Sequence, residues 1–335
     1  MGSRPDLTVV VLTYDSAAYL RDCLDALAGQ VDPDFALLVV DDDSTDGTLQ
    51  IVASYADRLQ VRVERNGTHR ISHGRNIGLR RAGTRWVAFV DSDDRPLPEW
   101  TREIRRAFTE HPDAALLSGG RVCGGRTPTA RVIALNDETV RDLTWNGVLE
   151  FAAGNCAMNL DVWPDAAFEE EFAFAEDLEM AARVRDRLVW KVVPTMTIQH
   201  YSRATLRGYA QQMYHYGRMK QLFALSFRLH RPIDHAPTAV IALGLVGAAV
   251  TRRWWPALAV VPFSALEAAF VVLYRRASPR LFPLSWAAWT VKNVAWSAGT
   301  VRGLVDCGVH RPSRDLVRRK RVEARRDGLG TAAAR

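Results

Sequence analysis

The chain has 335 residues, of which 48% are hydrophobic and 24% are charged, a composition that supports a packed core and excludes global disorder. Its four cysteines form no CxxC pair, which argues against a zinc knuckle or a disulfide scaffold. The formal net charge is +6, but no nucleic-acid-reading motif accompanies it, so no nucleic-acid partner is expected.

Strand-like and helix-like stretches alternate through residues 7–90. Leu7–Leu12 is rich in β-branched residues and is typical of a buried parallel strand, whereas Ala17–Ala28 carries leucines at helical spacing. Further strands are predicted at Phe35–Val40, Val61–Glu64 and Trp86–Val90, and further helices at Thr48–Tyr55 and Ser72–Ala82. This order predicts an α/β fold with a mainly parallel sheet, whose ligands bind beyond the carboxyl ends of the strands.

The pattern weakens after Ala107. Up to Val148, glycines at 119, 120, 124 and 125 suggest turns between short strands. Helices are then predicted over Glu169–Arg187 and Thr205–Leu222, with a strand at Leu188–Val193 that stops at Pro194.

Two acidic clusters follow predicted strands. Asp41, Asp42 and Asp43 come directly after the second strand, and carboxylates crowded there favour a ligand that needs acceptors; we single out Asp42. Asp46 remains open between such a role and helix capping. The second cluster, Asp91-Ser92-Asp93-Asp94, offers hard oxygen ligands that suit Mg²⁺ or Mn²⁺, although an acidic turn is the alternative.

Three further motifs carry candidate chemistry. The segment with Arg70, Arg75 and Asn76 combines cations with a helix N-terminus and predicts an anion site. Glu176 and Asp177 begin a predicted acidic stretch, where one carboxylate is either a general base or only a favourable partner of the helix dipole. His200 follows a strand and is either structural or a ligand.

Taken together, VVDDDSTDGT, RNIG, FVDSDD and AEDLEMAAR resemble bacterial family 2 glycosyltransferases of the GT-A fold, from Leu7 to about Met219. The resemblance implies a Rossmann-like sheet with flanking helices. It also implies that Leu12, Thr13 and Tyr14 contact the nucleotide base and that Asp42 reads a uracil-type edge. Arg70 then contacts phosphate, and the donor site includes Asn76 and Ser92.

The resemblance also implies a divalent metal, Mg²⁺ or Mn²⁺. Asp93 is its most direct predicted ligand, Asp91 lies nearer the ribose while contributing to the metal site, and His200 completes the set. Asp177 is implied as the catalytic base, with Glu176 beside it in the same Glu-Asp motif. Two departures from the family pattern are Leu12-Thr13-Tyr14-Asp15, where Pro-x-Tyr-Asn is common, and Asp43, where glycine is usual.

The implied reaction is inverting transfer of one sugar from a nucleoside-diphosphate sugar, UDP-linked by resemblance, to a hydroxyl acceptor that is lipid-linked or related to the cell envelope. Single transfer is favoured because Gln211 and Arg218 do not form the QxxRW motif of processive members. One alternative is a non-catalytic nucleotide-binding membrane scaffold. Another, a Rossmann-type oxidoreductase, needs a glycine-rich turn that Thr13–Ser16 lacks.

The composition changes around residue 230, and the prediction is a catalytic domain over 1–225, a hydrophobic helical region over 226–309 and a basic, disordered tail over 310–335. Pro237–Val250 is short for a bilayer span, whereas Trp254–Tyr274 is long enough. A membrane hairpin, an interfacial arrangement and a soluble helical subdomain stay open. Because Met1–Asp6 lacks an apolar stretch, no secretory signal is expected, and the predicted location is the cytoplasmic face of the membrane.

Overall fold

A computed structural model describes residues 5–144, 151–172, 176–184, 187–227, 232–309 and 315–320. Within these ranges the strands are β1 (Leu7–Thr13), β2 (Ala36–Asp41), β3 (Val61–Arg65), β4 (Trp86–Asp91), β5 (Asp94–Pro96), β6 (Ala114–Gly124), β7 (Asn155–Asn159) and β8 (Val189–Tyr201). The helices are α1 (Ala17–Ala28), α2 (Thr48–Ala53), α3 (Ile71–Arg81), α4 (Trp100–Glu110), α5 (Pro128–Thr144), α6 (Glu176–Val184), α7 (Leu206–Phe227), α8 (Pro232–Thr251), α9 (Val260–Tyr274) and α10 (Phe282–Val309).

The described strands form one mixed sheet in the order β3-β2-β1-β4-β7-β6-β8-β5. The first four in this order are parallel, as the βαβ rhythm predicts. β7 pairs antiparallel with both β4 and β6, and β5 pairs antiparallel with β8. The predicted α/β fold with flanking helices is confirmed, and the parallel half carries the two acidic clusters at its carboxyl ends.

Alternation along β1 places a core on each face of this sheet, because successive side chains of a strand point to opposite sides. Val9 and Val11 pack with the leucines of α1 and with Trp100 of α4. Val10 lies on the other face, where Leu79 of α3 and Met180 of α6 contribute to a second cluster. The sheet is therefore buried on both faces, which explains its nearly continuous apolar strands.

The short strands and turns predicted after Ala107 are wrong in two places. Gly119 and Gly120 lie inside β6, and a Cβ atom on either would meet a β8 carbonyl, that of Met196 at 2.2 Å and that of Pro194 at 2.5 Å. These glycines thus permit close strand approach instead of forming turns. Residues 128–144 form the helix α5, which the sequence pattern did not reveal.

Two other predicted boundaries also differ. β8 continues through Pro194, a residue that lies outside the part of β8 paired with β5, since β5 pairs only with residues 198–200. The helix predicted from Glu169 begins at Glu176, after a turn in which the Phe172 N–H donates to the Glu169 carbonyl. The predicted C-terminal end, at 185–187, lies partly outside the described residues.

The chain divides into two compact units, Met1–Val122 with Asn146–His200, and Cys123–Trp145 with Tyr201–Arg335. These units are defined by contacts within the folded chain, whereas the boundary predicted at residue 225 separates domains that fold independently. That boundary therefore stays a prediction. Residues 315–320 of the predicted disordered tail are helical, and the rest of 310–335 lies outside the described residues.

The second unit consists mainly of helices, and α7 and α10 pack closely within it. A Cβ on Gly299 would lie 2.0 Å from the Tyr214 carbonyl, and one on Gly303 would lie 2.3 Å from the Arg218 carbonyl. Two stretches are long and apolar enough to cross a bilayer, Asp234–Thr251 and Trp255–Tyr274. The first stretch is longer than the sequence pattern predicts. The apolar run Pro237–Val250 is short, but the helix that contains it, α8, extends beyond the run at both ends.

Candidate active site

The site lies at the carboxyl ends of the parallel strands. The register places Thr13 beside Asp41 and Leu12 beside Asp91, so the two acidic clusters end neighbouring strands on either side of β1. The two clusters are far apart in sequence, but parallel pairing brings them close together, because the carboxyl ends of parallel strands lie at the same edge of the sheet.

The predicted base-contacting residues meet at one corner of this edge. Asp42 is buried, and its Oδ1 accepts the backbone N–H of His69 at 3.1 Å, while its Oδ2 lies 3.4 Å from His69 Nδ1. The Tyr14 ring is exposed and meets the His69 ring edge-on at 5.3 Å between centroids. Sequence reasoning missed His69, whose backbone is left-handed with φ 52°.

The neighbouring carboxylates have structural partners. Thr13 Oγ1 donates to Asp41 Oδ1 at 2.7 Å, and the backbone N–H of Ser44 donates to Asp41 Oδ2 at 3.0 Å. Asp46 accepts the backbone N–H of Thr48 at 3.1 Å and that of Ala17 at 2.9 Å. Asp46 thus satisfies donors at the starts of α1 and α2, which favours the helix-terminus alternative, although the N-cap residue of α2 itself is Gly47.

Asp43 explains one departure from the family pattern. Its φ is 62°, in the left-handed region that glycine adopts without steric cost and that aspartate tolerates better than most residues. Its Oδ2 accepts a hydrogen bond from Arg65 at 2.8 Å, and this guanidinium lowers the pKa of the Asp43 carboxyl. The residue is thus accommodated at the surface by a neighbouring cation.

Arg70 and Asn76 occupy opposite environments on α3. Arg70 precedes the helix and is exposed, with its guanidinium 3.4 Å from the Glu170 carbonyl oxygen. Asn76 is buried, its amide donates to Phe168 O and Glu170 Oε1, both at 2.9 Å, and its Oδ1 accepts the Phe168 N–H at 2.8 Å. This arrangement indicates a structural role for Asn76, whereas the Arg70 side chain is exposed to solvent.

Arg75 is the most buried cation of the site, and sequence reasoning assigned it only to a general anion site. Its guanidinium donates to Glu176 Oε1 and, at 3.1 Å, to Asp91 Oδ1, and it lies over the Phe168 ring at 5.5 Å from the centroid. Asp91 fits beside Gly154, where a Cβ atom would lie 2.2 Å from the carboxylate. Arg75 therefore holds the second acidic cluster and the Glu-Asp motif together.

Glu176 and Asp177 begin α6, where the helix dipole favours negative charge. Burial raises the pKa of Glu176 to about 7, against the opposing effect of the Arg75 guanidinium. Burial also raises the pKa of Asp177, and Arg75 again opposes the shift. Asp177 Oδ1 accepts the backbone N–H of Leu178 at 2.8 Å, which fixes the carboxylate at the helix start.

Asp93, Asp94 and His200 form a group whose potential ligand atoms all lie within 4.8 Å of one another. β5 pairs Asp94 directly opposite His200 on β8, and His200 Nδ1 lies 2.6 Å from Asp94 Oδ1. Burial raises the pKa of Asp94 to about 7, although the hydrogen bond with His200 opposes the rise. Two carboxylates and an imidazole fit a divalent cation such as Mn²⁺.

This group differs from the predicted ligand set in one member, since it contains Asp94 where Asp91 was expected. Asp91 instead meets Arg75, as described above. Ser92 lies between the two aspartates, and its Oγ is 2.9 Å from Ser16 Oγ, which ties the acidic loop to the start of α1. In the sequence, Asp94 is recognisable only as a member of the acidic cluster. Its contact with His200 is not predictable there, because the two residues lie far apart along the chain.

Known proteins resemble this chain in sequence and in fold. It is 38% identical over 123 residues to poly(ribitol-phosphate) beta-N-acetylglucosaminyltransferase TarS of Staphylococcus aureus, covering 36% of this chain and 22% of that protein. It is 34% identical over 128 residues to validoxylamine A glucosyltransferase of Streptomyces hygroscopicus, covering 37% of this chain and 30% of that protein. The chain thus matches less than a third of the length of either relative.

A solved structure shares the fold. The mannosyltransferase PcManGT from Pyrobaculum calidifontis, in complex with GDP-Man and Mn²⁺, superposes with a TM-score of 0.55 at 20% identity, covering 91% of this chain and 88% of that one. This likeness confirms the predicted GT-A fold. Residues 8–163 match the model of glycosyl transferase family 2, so this part of the chain is similar to the family that its motifs resemble.

Proposed function

We propose that the protein transfers a single sugar from a nucleoside-diphosphate sugar to a hydroxyl acceptor, in a metal-dependent and inverting reaction. The observation that carries this proposal is the convergence of three groups at one edge of the sheet. They are the Asp42–His69 corner, the Asp93–Asp94–His200 group, and the Arg75 bridge between Asp91 and Glu176.

The Asp42–His69 corner suits the nucleoside of the donor. A buried carboxylate beside an exposed Tyr14 ring offers hydrogen-bond acceptors and an aromatic surface for a base. The resemblance favours UDP, with Leu12 and Thr13 lining the same strand end. Arg70 is exposed and lies just before α3, where it can meet the charge of the donor phosphates.

The Asp93–Asp94–His200 group would hold the divalent cation, Mn²⁺ or Mg²⁺. When bound, the cation supplies charge neutralisation for the nucleoside diphosphate that departs. Asp94 also fixes the orientation of the His200 ring through their 2.6 Å contact, so its contribution includes positioning.

Asp177 is the proposed general base. Its carboxylate accepts the proton of the acceptor hydroxyl, whose oxygen forms a bond to the anomeric carbon of the sugar. The bond between that carbon and the diphosphate oxygen breaks, and its electron pair leaves with the nucleoside diphosphate. A single displacement of this kind inverts the anomeric configuration. Glu176, the residue before Asp177, has a pKa raised to about 7 and is held by Arg75.

The acceptor is proposed to be lipid-linked or related to the cell envelope. One relative is named for transfer to poly(ribitol-phosphate), and the chain carries two stretches apolar enough to span a bilayer. We propose that residues 226–309 associate with the membrane and that the site faces the cytoplasm.

Nucleotide binding with and without metal tests the proposal. UDP and GDP are titrated by calorimetry in the presence of Mn²⁺ or a chelator. We expect one nucleotide to bind more tightly with Mn²⁺, and Asp93→Ala to lower the apparent metal affinity by at least about 10-fold. Asp57→Ala, which alters an exposed carboxylate outside the site, serves as the control. A nucleotide affinity that changes neither with Mn²⁺ nor with the Asp93→Ala substitution contradicts the proposed metal role.

A further inference from the structure

The surface of helices α8 and α9 is almost wholly apolar. We call residues 232–274 the α8–α9 hairpin. Between positions 239 and 274, the exposed residues are all apolar or aromatic except Thr251, Arg252 and Arg253. The largest are Leu243, Leu245, Val246, Val250, Trp254, Trp255, Leu258, Leu266, Phe270, Leu273 and Tyr274. Soluble domains seldom present so continuous an apolar surface.

Polar side chains lie instead between the helices. Ser264 on α9 and Asn293 on α10 are buried, and the Asn293 amide donates to Ser264 Oγ at 3.0 Å and to the Glu267 carboxylate. Trp286 Nε1 donates to the Val261 carbonyl at 2.9 Å. Apolar residues outside and hydrogen-bonded polar residues inside are the inverse of a water-soluble helical bundle, and they are typical of helices packed in lipid.

The hairpin has the length of a bilayer core. α8 and the stretch Trp255–Tyr274 each contain 20 residues, the second being a short 3₁₀ helix at Trp255–Leu258 followed by α9. A continuous α-helix of 20 residues extends about 30 Å. The hydrocarbon core of a bilayer is also about 30 Å thick. A helix that lies along the interface exposes a polar face to water, whereas the exposed face of α8 and that of α9 are both apolar. The other face of α9 packs with Trp289 of α10 and Leu135 of α5.

Cations and aromatic rings cluster at the two ends of the apolar stretch. The tip carries Arg252, Arg253, Trp254 and Trp255, all exposed. Each helix also terminates at its arginine pair: the Arg253 N–H donates to Ala248 O at 3.2 Å, and the Ala277 N–H donates to Val272 O at 2.9 Å. Such belts fit the headgroup regions of a bilayer, whose anionic lipids attract arginine.

We infer that the α8–α9 hairpin crosses a lipid bilayer twice, with its tip at Thr251–Trp255 on the far side and its base on the cytoplasmic side. This deepens the proposed membrane association and rests on it. The base carries Arg275, Arg276 and Arg280, against two arginines at the tip, so the bias of the positive-inside rule favours this orientation.

Cysteine labelling of the full-length protein in intact bacterial spheroplasts tests the orientation. The partly exposed Cys123 and Cys307 are first replaced by serine, whereas Cys23 and Cys156 are kept because they are buried. Thr251→Cys then reports the tip, and Ser278→Cys, between α9 and α10, is its matched control at the base. A membrane-impermeant maleimide is applied outside, and separately to inverted vesicles.

The protein is expected in the membrane fraction after an alkaline wash. The Thr251→Cys variant is then labelled from outside and the Ser278→Cys variant only in inverted vesicles. Labelling of both positions from the cytoplasmic side alone overturns the double crossing, while the proposed membrane association survives. Recovery of the protein in the supernatant after lysis overturns both, and neither result bears on the proposed sugar transfer.

Discussion

Asp177→Asn is expected to lower the rate of sugar transfer by about 10²- to 10⁴-fold, the usual contribution of a general base. An asparagine amide retains the shape of the side chain but cannot accept the proton of the acceptor hydroxyl. The N–H of Leu178 can still donate to the new side-chain oxygen, so the start of α6 is expected to persist. The measurement is nucleoside-diphosphate release from the donor sugar that the protein binds, under saturating metal.

Asp57→Asn is the matched control for this substitution, because Asp57 is exposed and lies in the turn after α2. It should leave the release rate unchanged. Nucleotide affinity should be retained in both variants, since Asp177 is not assigned to the nucleotide. Undiminished release by Asp177→Asn shows that another group acts as the base.

Arg75→Met is expected to destabilise the protein by about 3–5 kcal/mol, because it leaves the buried Glu176 carboxylate, and beside it the partly exposed Asp91, without their common cation. Methionine fills much of the same volume, so the loss reflects charge more than packing. Transfer should also fall, since Arg75 positions both carboxylates. The free energy of unfolding is measured by denaturant titration of the full-length protein in detergent.

Arg58→Met is the comparison for this change. Arg58 pairs with Asp25 at 2.8 Å, but both side chains are more than half exposed. Surface pairs of this kind contribute at most about 1 kcal/mol. Similar losses for the two variants contradict a special role for the buried Arg75 bridge.

The first sheet elements are predictable because their signals are local. Leu20, Leu24 and Leu27 recur at helical spacing and place α1 at its observed bounds. Asp42 and Asp91 are recognisable because acidic residues follow apolar strands, and parallel pairing then brings them to one edge. A strand, its end and its neighbour in a βαβ unit need only short-range information.

The rest of the site depends on long-range pairing that periodicity does not report. Asp94 meets His200 only because β5 and β8 pair across the fold. The sequence predicts Arg75 only as part of an anion site, whereas its burial and its contact with Glu176 follow from α6 packing near α3. Gly119 and Gly120 suggest turns by composition, whereas the approach of β8 requires them in a strand.

The hydrophobic C-terminal region shows a different limit. Composition predicts apolar helices, but it does not distinguish residues that face a core from residues that face lipid. The structure shows which residues of α8 and α9 are exposed, such as Leu243 and Leu266, and which are buried, such as Ser264, and the proposed bilayer contact rests on that difference.

Sugar transfer itself is tested most directly by nucleoside-diphosphate release from a panel of UDP- and GDP-linked sugars with Mn²⁺ or Mg²⁺. We predict release from at least one donor, and loss of that release when the metal is chelated or when Asp93→Ala or Asp177→Asn is introduced. A protein that binds the nucleotide tightly but releases none from any donor, with metal and membranes present, contradicts catalysis and indicates a nucleotide-binding scaffold.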